Sequence, residues 1–139
     1  MPEIKVMEDA KDVGLAMMLA DLVRQNLEQK PDKVRHFNGI SANVLIEARD
    51  IDIIVGLKFE RGKLTVSGKK NGNPDLHIIT DSGSILDLSL VRIKFGLPYF
   101  FDENGIKVLK KMLKRELVIK GLFLNFLTLV RLTNVVSVT

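Results

Sequence analysis

The chain has no cysteine and no tryptophan, and only two histidines, His36 and His77, in 139 residues. Without cysteine there is no disulfide framework, no thiol nucleophile, no iron–sulfur cluster and no thiolate zinc site. Two histidines do not make a histidine-rich metal site. The phosphate-cradling glycine patterns are also missing. No G-x-x-x-x-G-K-[ST] and no G-x-G-x-x-G occurs, and the stretch 68–72 matches neither. The nucleophile turn G-x-S-x-G is absent as well, and Asp81-Ser82-Gly83-Ser84 does not supply it. The start, Met1-Pro2-Glu3-Ile4-Lys5, has no apolar run of the kind a secretory signal needs. The end, Ser137-Val138-Thr139, is not a peroxisomal address.

What is present is apolar. Hydrophobic residues make up 46% and charged residues 27%, and mean hydropathy is slightly positive. That excludes a disordered chain. A chain of this length is one domain, and it buries about two-thirds of the surface it exposes when unfolded. Charge is uneven. Residues 1–30 carry four basic and six acidic groups, residues 31–103 ten of each, and residues 104–139 seven basic groups against the single acid Glu116. A basic end points to an anionic partner or to a solvated lysine face. The stretch 117–138 is mostly apolar, but Lys120, Arg131 and Gly121 interrupt it. A mid-span arginine is costly in lipid, so the stretch reads as a strand and then a buried helix.

The periodicity predicts a leading helix, with Leu15, Met18, Leu19, Leu22, Val23 and Leu27 on one face, Asp9 or Asp12 as its cap, and an end before Pro31. Strands follow. Val44-Leu45-Ile46 forms the first. Ile51, Ile53, Val55, Leu57 and Phe59 alternate with more polar residues, and Glu60-Arg61-Gly62-Lys63 turns a hairpin into Leu64 and Val66. Leu76, Ile78 and Ile79 mark another strand. A short helix containing Ile85, Leu86 and Leu88 comes next, capped by Ser82 or Ser84. Gly96 and Pro98 keep 95–101 from being one regular element. A second helix, from Asp102 or Asn104, carries Leu109, Met112 and Leu113 on one side and Lys107, Lys110, Lys111 and Lys114 on the other. A strand over 116–120 ends at Gly121, and an apolar helix runs from Leu122 to Val136.

Catalytic constellations are thin. Asp50 and Asp52 read as surface acids. Asp75 and His77 share a strand face, an arrangement open to catalysis but commoner in an ordinary strand histidine. More informative is the aromatic group Phe95, Tyr99, Phe100 and Phe101 just ahead of the lysine-faced helix. Rings beside a basic amphipathic helix suit a lipid surface, or else fill the core. The strands lack the interleaved aromatics of a nucleic-acid platform.

The order of elements resembles the sterol carrier protein 2 (SCP2-like) family over residues 13–136. The stretch 53–64, IIVGLKFERGKL, is similar to that family's central hairpin. Pro74-Asp75-Leu76-His77-Ile78-Ile79-Thr80-Asp81 resembles its strand leading into the middle helix, and Leu117-Val118-Ile119-Lys120-Gly121 with the apolar 122–136 resembles its terminal strand and lid helix. The resemblance implies a single α+β domain over 1–139. It implies a mixed five-stranded sheet, helices covering one face, and an apolar cavity between for an acyl chain, acyl-CoA or sterol. The implied function is a non-catalytic lipid-binding carrier without cofactor or metal, in the cytoplasm or peripheral at a membrane. The expected cavity lining is Leu122, Phe123, Phe126, Leu127 and Val130 of the last helix with Ile85, Leu88, Phe95 and Phe100. Lys107, Lys110, Lys111 and Lys114 are the expected docking stripe for an anionic membrane. The alternative is an interaction module that forms a homodimer through the apolar last helix.

Overall fold

The structure, a computed structural model, describes residues 2–70, 72–89, 92–94, 97–99 and 103–137, with side chains for all of these except 86–89, 92–94, 97–99 and 104. The strands are β1 (Glu3–Val6), β2 (Ser41–Ala48), β3 (Ile53–Glu60), β4 (Lys63–Ser67), β5 (Leu76–Thr80), β6 (Arg92–Lys94), β7 (Leu97–Tyr99) and β8 (Val118–Lys120). The α-helices are α1 (Gly14–Gln29), α2 (Asp32–Gly39), α3 (Ser82–Ser89), α4 (Glu103–Leu113) and α5 (Phe126–Val136). Six strands form one mixed sheet in the order β1-β4-β3-β2-β5-β8, and β6 and β7 pair separately. The β1–β4 and β2–β5 pairs are parallel and the other pairs antiparallel.

The sheet therefore has six strands, not five. The addition is β1, whose alternation is only four residues long. It is held at its ends by Glu3 N–H donating to Gly62 O at 2.9 Å and Met7 N–H to Val66 O at 2.8 Å, and Ile4 and Val6 lean on the core. Register explains the inner face. Val44 opposes Leu57 and Leu76, Leu57 opposes Val66, and Ile46 lies between Val55 and Ile78. All of these are buried, as a period of two requires when one face meets helices. The β3–β4 turn is two residues long, with φ of 45° at Arg61 and 101° at Gly62. Positive φ at both central positions matches the twist of a two-residue hairpin.

The helices sit against that face. In α1, Leu15, Leu19, Val23 and Leu27 are buried, and Asp21, Arg24, Gln25 and Glu28 are exposed. Its N-cap is Val13, not Asp9 or Asp12. Asp9 lies in a short 3-10 turn (Glu8–Ala10), and its carboxylate accepts from Gly68 N–H at 3.0 Å. At the start of α3 the capping oxygen comes from Asp81, which accepts from Ser84 N–H at 2.7 Å, rather than from a serine. That bond holds the Asp81 carboxyl below its usual range. In α2, Phe37 is fully buried and meets Phe59 edge-on at 6.0 Å.

The C-terminal end of α5 is fastened by polar groups from α1 and α2. Asn26 Nδ2 donates to Val135 O and Val136 O, each at 2.9 Å. Lys33 Nζ donates to Ser137 O, and Arg131 Nη1 to Gly39 O at 2.8 Å. Burial, with Lys30 adding to it, lowers the Lys33 amine from 10.5 to about 8. The folded protein thus releases this proton more readily than the unfolded chain. Between pH 8 and 10.5 the unfolded chain binds more protons, so stability rises with pH across that window. Urea melts across pH 8 to 10.5 should show that rise in the parent protein and a flatter profile in Lys33→Met.

Candidate functional site

Leu19 of α1, Ile46 of β2, Ile78 of β5 and Ile85 of α3 face Leu129, Leu132, Thr133 and Val136 of α5. Between them lies a gap of about 30 Å³. Its walls are hydrocarbon apart from Thr133, whose hydroxyl is satisfied inside its own helix by Leu129 O at 2.8 Å. Among the described residues, that hydroxyl oxygen is the one polar side-chain atom in the lining. The arrangement can take apolar matter.

The structure brings one member of the expected lining, Ile85, to this gap. Val130 is buried on α5 but does not line the gap, and Leu122 is half-buried in the turn before the helix. Phe123 is 95% exposed, Leu124 93%, and Phe126 and Leu127 60% each. The reason is that α5 begins at Phe126, after a turn over 121–125, instead of at Leu122. Leu122, Phe123, Leu124 and Asn125, expected in the helix, lie in that turn instead. Phe95 and Phe100 lie outside the described residues, as does the side chain of Leu88. Leu129, Leu132, Thr133 and Val136 of α5, with Leu19, Ile46 and Ile78 opposite, are the lining positions that sequence reasoning missed. An all-round apolar helix gives no signal for which of its sides faces the sheet.

On α4, Val108 is buried and Met112 half-buried, whereas Ile106, Leu109 and Leu113 are exposed. At roughly 100° per residue these three occupy the flank between the buried line and the lysines. Lys107 and Lys110 are exposed, and Lys114 is exposed just past the helix end. Lys111 departs from the stripe, because its Nζ turns in to donate to Ser84 Oγ at 2.6 Å. The helix thus exposes a mixed face, part lysine and part hydrocarbon.

The histidine and acidic pairs do not assemble a centre. Asp75 accepts from Asn43 N–H at 2.8 Å. His77 instead faces Glu47, Nε2 to Oε1 at 3.5 Å, on the side of the sheet away from the helices. Asp50 accepts from the backbone and hydroxyl of Ser82 at 2.9 and 2.7 Å, and these bonds lower its carboxyl pKa. Asp50 therefore tethers α3 to the β2–β3 turn. Among the described residues no three His, Asp or Glu side chains converge on a metal position, and no helix is long and apolar enough to cross a membrane.

No protein-family model matches the chain, and no curated protein matches it in sequence. Solved structures do match. A UbiJ-SCP2 ubiquinone synthesis protein aligns over 91% of this chain and 98% of its own, with a TM-score of 0.62 at 15% identity. Sterol carrier protein 2 aligns over 88% of this chain and 95% of its own, with a TM-score of 0.52 at 11% identity. At such identities the likeness speaks to the fold, and this chain is an α+β domain with the SCP2-like fold.

Proposed function

We propose that the protein is a non-catalytic lipid carrier that holds an acyl chain, an acyl-CoA or a sterol-like molecule between its helices and its sheet. The observation that carries this reading is the gap under α5, walled by hydrocarbon and set in a fold shared with sterol carrier protein 2. A carrier of this kind works in the cytoplasm, peripheral to the membranes that supply and receive its cargo.

Size constrains the mechanism. The gap is about 30 Å³, whereas pockets for small ligands span roughly 300–1,000 Å³. Loading therefore moves α5 or α3 outward from the sheet, and the ligand itself fills the space so made. Each added Å² of buried hydrocarbon contributes about 25 cal/mol, which offsets the cost of parting the layers. Phe126 and Leu127, at the solvent end of α5, and Leu122 in the turn before it stand at the mouth of such an opening and not along its walls.

Native mass spectrometry of the purified protein should show retained lipid. Thr133→Phe fills the gap, at an overpacking cost of about 1–3 kcal/mol. It should weaken binding of a fluorescent fatty acid at least tenfold while the far-ultraviolet circular dichroism stays unchanged. Ile85→Met, close in volume, is the control for folding. Unchanged fatty-acid binding in a folded Thr133→Phe protein would remove the gap from the mechanism.

A further inference from the structure

Exposure on α5 falls along its axis. Phe126 and Leu127 are exposed, Thr128 and Leu129 half-buried, and Leu132, Asn134, Val135 and Val136 buried. The helix lays the side bearing Leu129, Leu132, Thr133 and Val136 on the sheet, and its first turn stays in water. Its buried end is held by Asn26, Lys33 and Arg131, and its other end projects with the turn that precedes it. At that projection Phe123, Leu124, Phe126 and Leu127 place four large apolar side chains in water. Scattered surface leucines are ordinary, but four within five positions form a patch.

The turn is built to present them. Gly121 adopts a φ of 86° against the Asp75 carbonyl. Asn125 N–H donates to Gly121 O at 3.0 Å, and Asn125 Nδ2 reaches Asp75 O at 2.9 Å and Gly121 O at 3.2 Å. Phe123 and Leu124 thus ride on a fastened turn.

Charge identifies the occupant. Lys120 immediately precedes the turn and is exposed, as are Lys114 and Arg115 ahead of β8 and Lys107 and Lys110 on α4. Across 104–139 the only acid is Glu116. A second copy meeting this patch about a two-fold axis would bring Lys120 toward its own image. A bilayer containing anionic lipid accepts both parts, hydrocarbon below and cations at the headgroups.

We propose that residues 121–127, the fastened turn and first turn of α5, are the element that inserts into an anionic bilayer, with Lys120 at headgroup level. This rests on the carrier reading above and adds to it the place of membrane contact. The insertion is shallow, on the order of 5–10 Å, and salt weakens its electrostatic part.

The test is flotation of the full chain with phosphatidylcholine vesicles, with and without phosphatidylglycerol. The parent protein should float with the phosphatidylglycerol vesicles and lose binding as salt rises. The double variant Phe123→Ser, Leu124→Ser should bind them at least tenfold more weakly. Both side chains are more than nine-tenths exposed, so the fold is retained. Phe123→Trp gives the chain its only tryptophan, and brominated acyl chains should quench it. Equal flotation of parent and double variant, or no quenching, overturns the proposal. So does a dimer that the double variant dissolves while vesicle binding stays the same. Native mass spectrometry of the double variant separates the two readings. Retained lipid with lost flotation supports docking at the turn, whereas an empty gap in every variant counts against the carrier and leaves the flotation result standing.

Discussion

Gly121→Ala should destabilise the protein by about 3–5 kcal/mol, and urea melts against the parent would measure it. Two costs combine at this position. The φ of 86° is left-handed, where an L side chain costs about 1–2 kcal/mol. A Cβ would also lie 2.1 Å from the Asp75 carbonyl oxygen, far inside contact. Asp75 has no room to yield. Its N–H donates to Asn43 O and its carboxylate accepts from Asn43 N–H, both at 2.8 Å, and its carbonyl accepts from Asn125. The added carbon must therefore push apart β8 and the start of β5. Gly72→Ala is the matched control, with φ of 62° and open space around the new Cβ. It should cost only the left-handed term, about 1 kcal/mol. Equal losses at the two glycines would show that the contact contributes nothing.

Much of this architecture is written in local periodicity. The 3.6 spacing of Leu15, Met18, Leu19, Leu22 and Val23 and the alternation from Ile53 to Phe59 each place one face on the core, and both faces are where the spacing puts them. The layout with helices on one side of the sheet was legible through the family resemblance, which the similarity to solved SCP2-like structures bears out at the level of fold. What local pattern misses depends on distant partners. Glu3-Ile4-Lys5-Val6 is too short to declare itself, and it becomes a strand only because β4, sixty residues later, offers a parallel edge. The helix α2 has eight residues and little apolar content beyond Val34 and Phe37, so its pattern is brief. Phe37 earns its place through Phe59.

The candidate site was harder to read than the fold. Apolarity all around 122–136 says that this segment leaves water, but not which end does so. The turn made by Gly121 and Asn125 decides that Phe123 and Leu124 point outward. The polar residues that fix the other end, Asn26 and Lys33, look in sequence like part of the solvent-facing pattern of α1 and α2. Their partners are carbonyls more than a hundred residues away, and backbone carbonyls leave no mark in a sequence.

That hidden attachment leads to the second large effect. Asn26 is 4% exposed, and its side-chain amide supplies donors to two of the carbonyls that a helix end leaves unpaired. Asn26→Leu keeps most of the volume and removes both donors, leaving Val135 O and Val136 O buried without them. The expected loss is about 2–4 kcal/mol, since each orphaned carbonyl costs about 1–3 kcal/mol and partial rearrangement recovers some of it. Asn26→Asp separates hydrogen bonding from packing more sharply. Near neutral pH its carboxylate would face two carbonyl oxygens in a buried setting, which is repulsive and raises its pKa above the ordinary range. The unfolded chain would hold that carboxyl at its ordinary value. The folded variant therefore binds the extra proton, and its stability should recover as pH falls and decline as pH rises. Urea melts of the parent, Asn26→Leu and Asn26→Asp across the acid range would follow this. An Asn26→Asp protein as stable as Asn26→Leu at every pH would mean that the amide packs α1 against α5 without fastening the end of the helix. If the fastening is real, loosening it should also open the apolar gap nearby, and the folded Asn26→Leu protein should bind a hydrophobic dye such as anilinonaphthalene sulfonate more strongly than the parent.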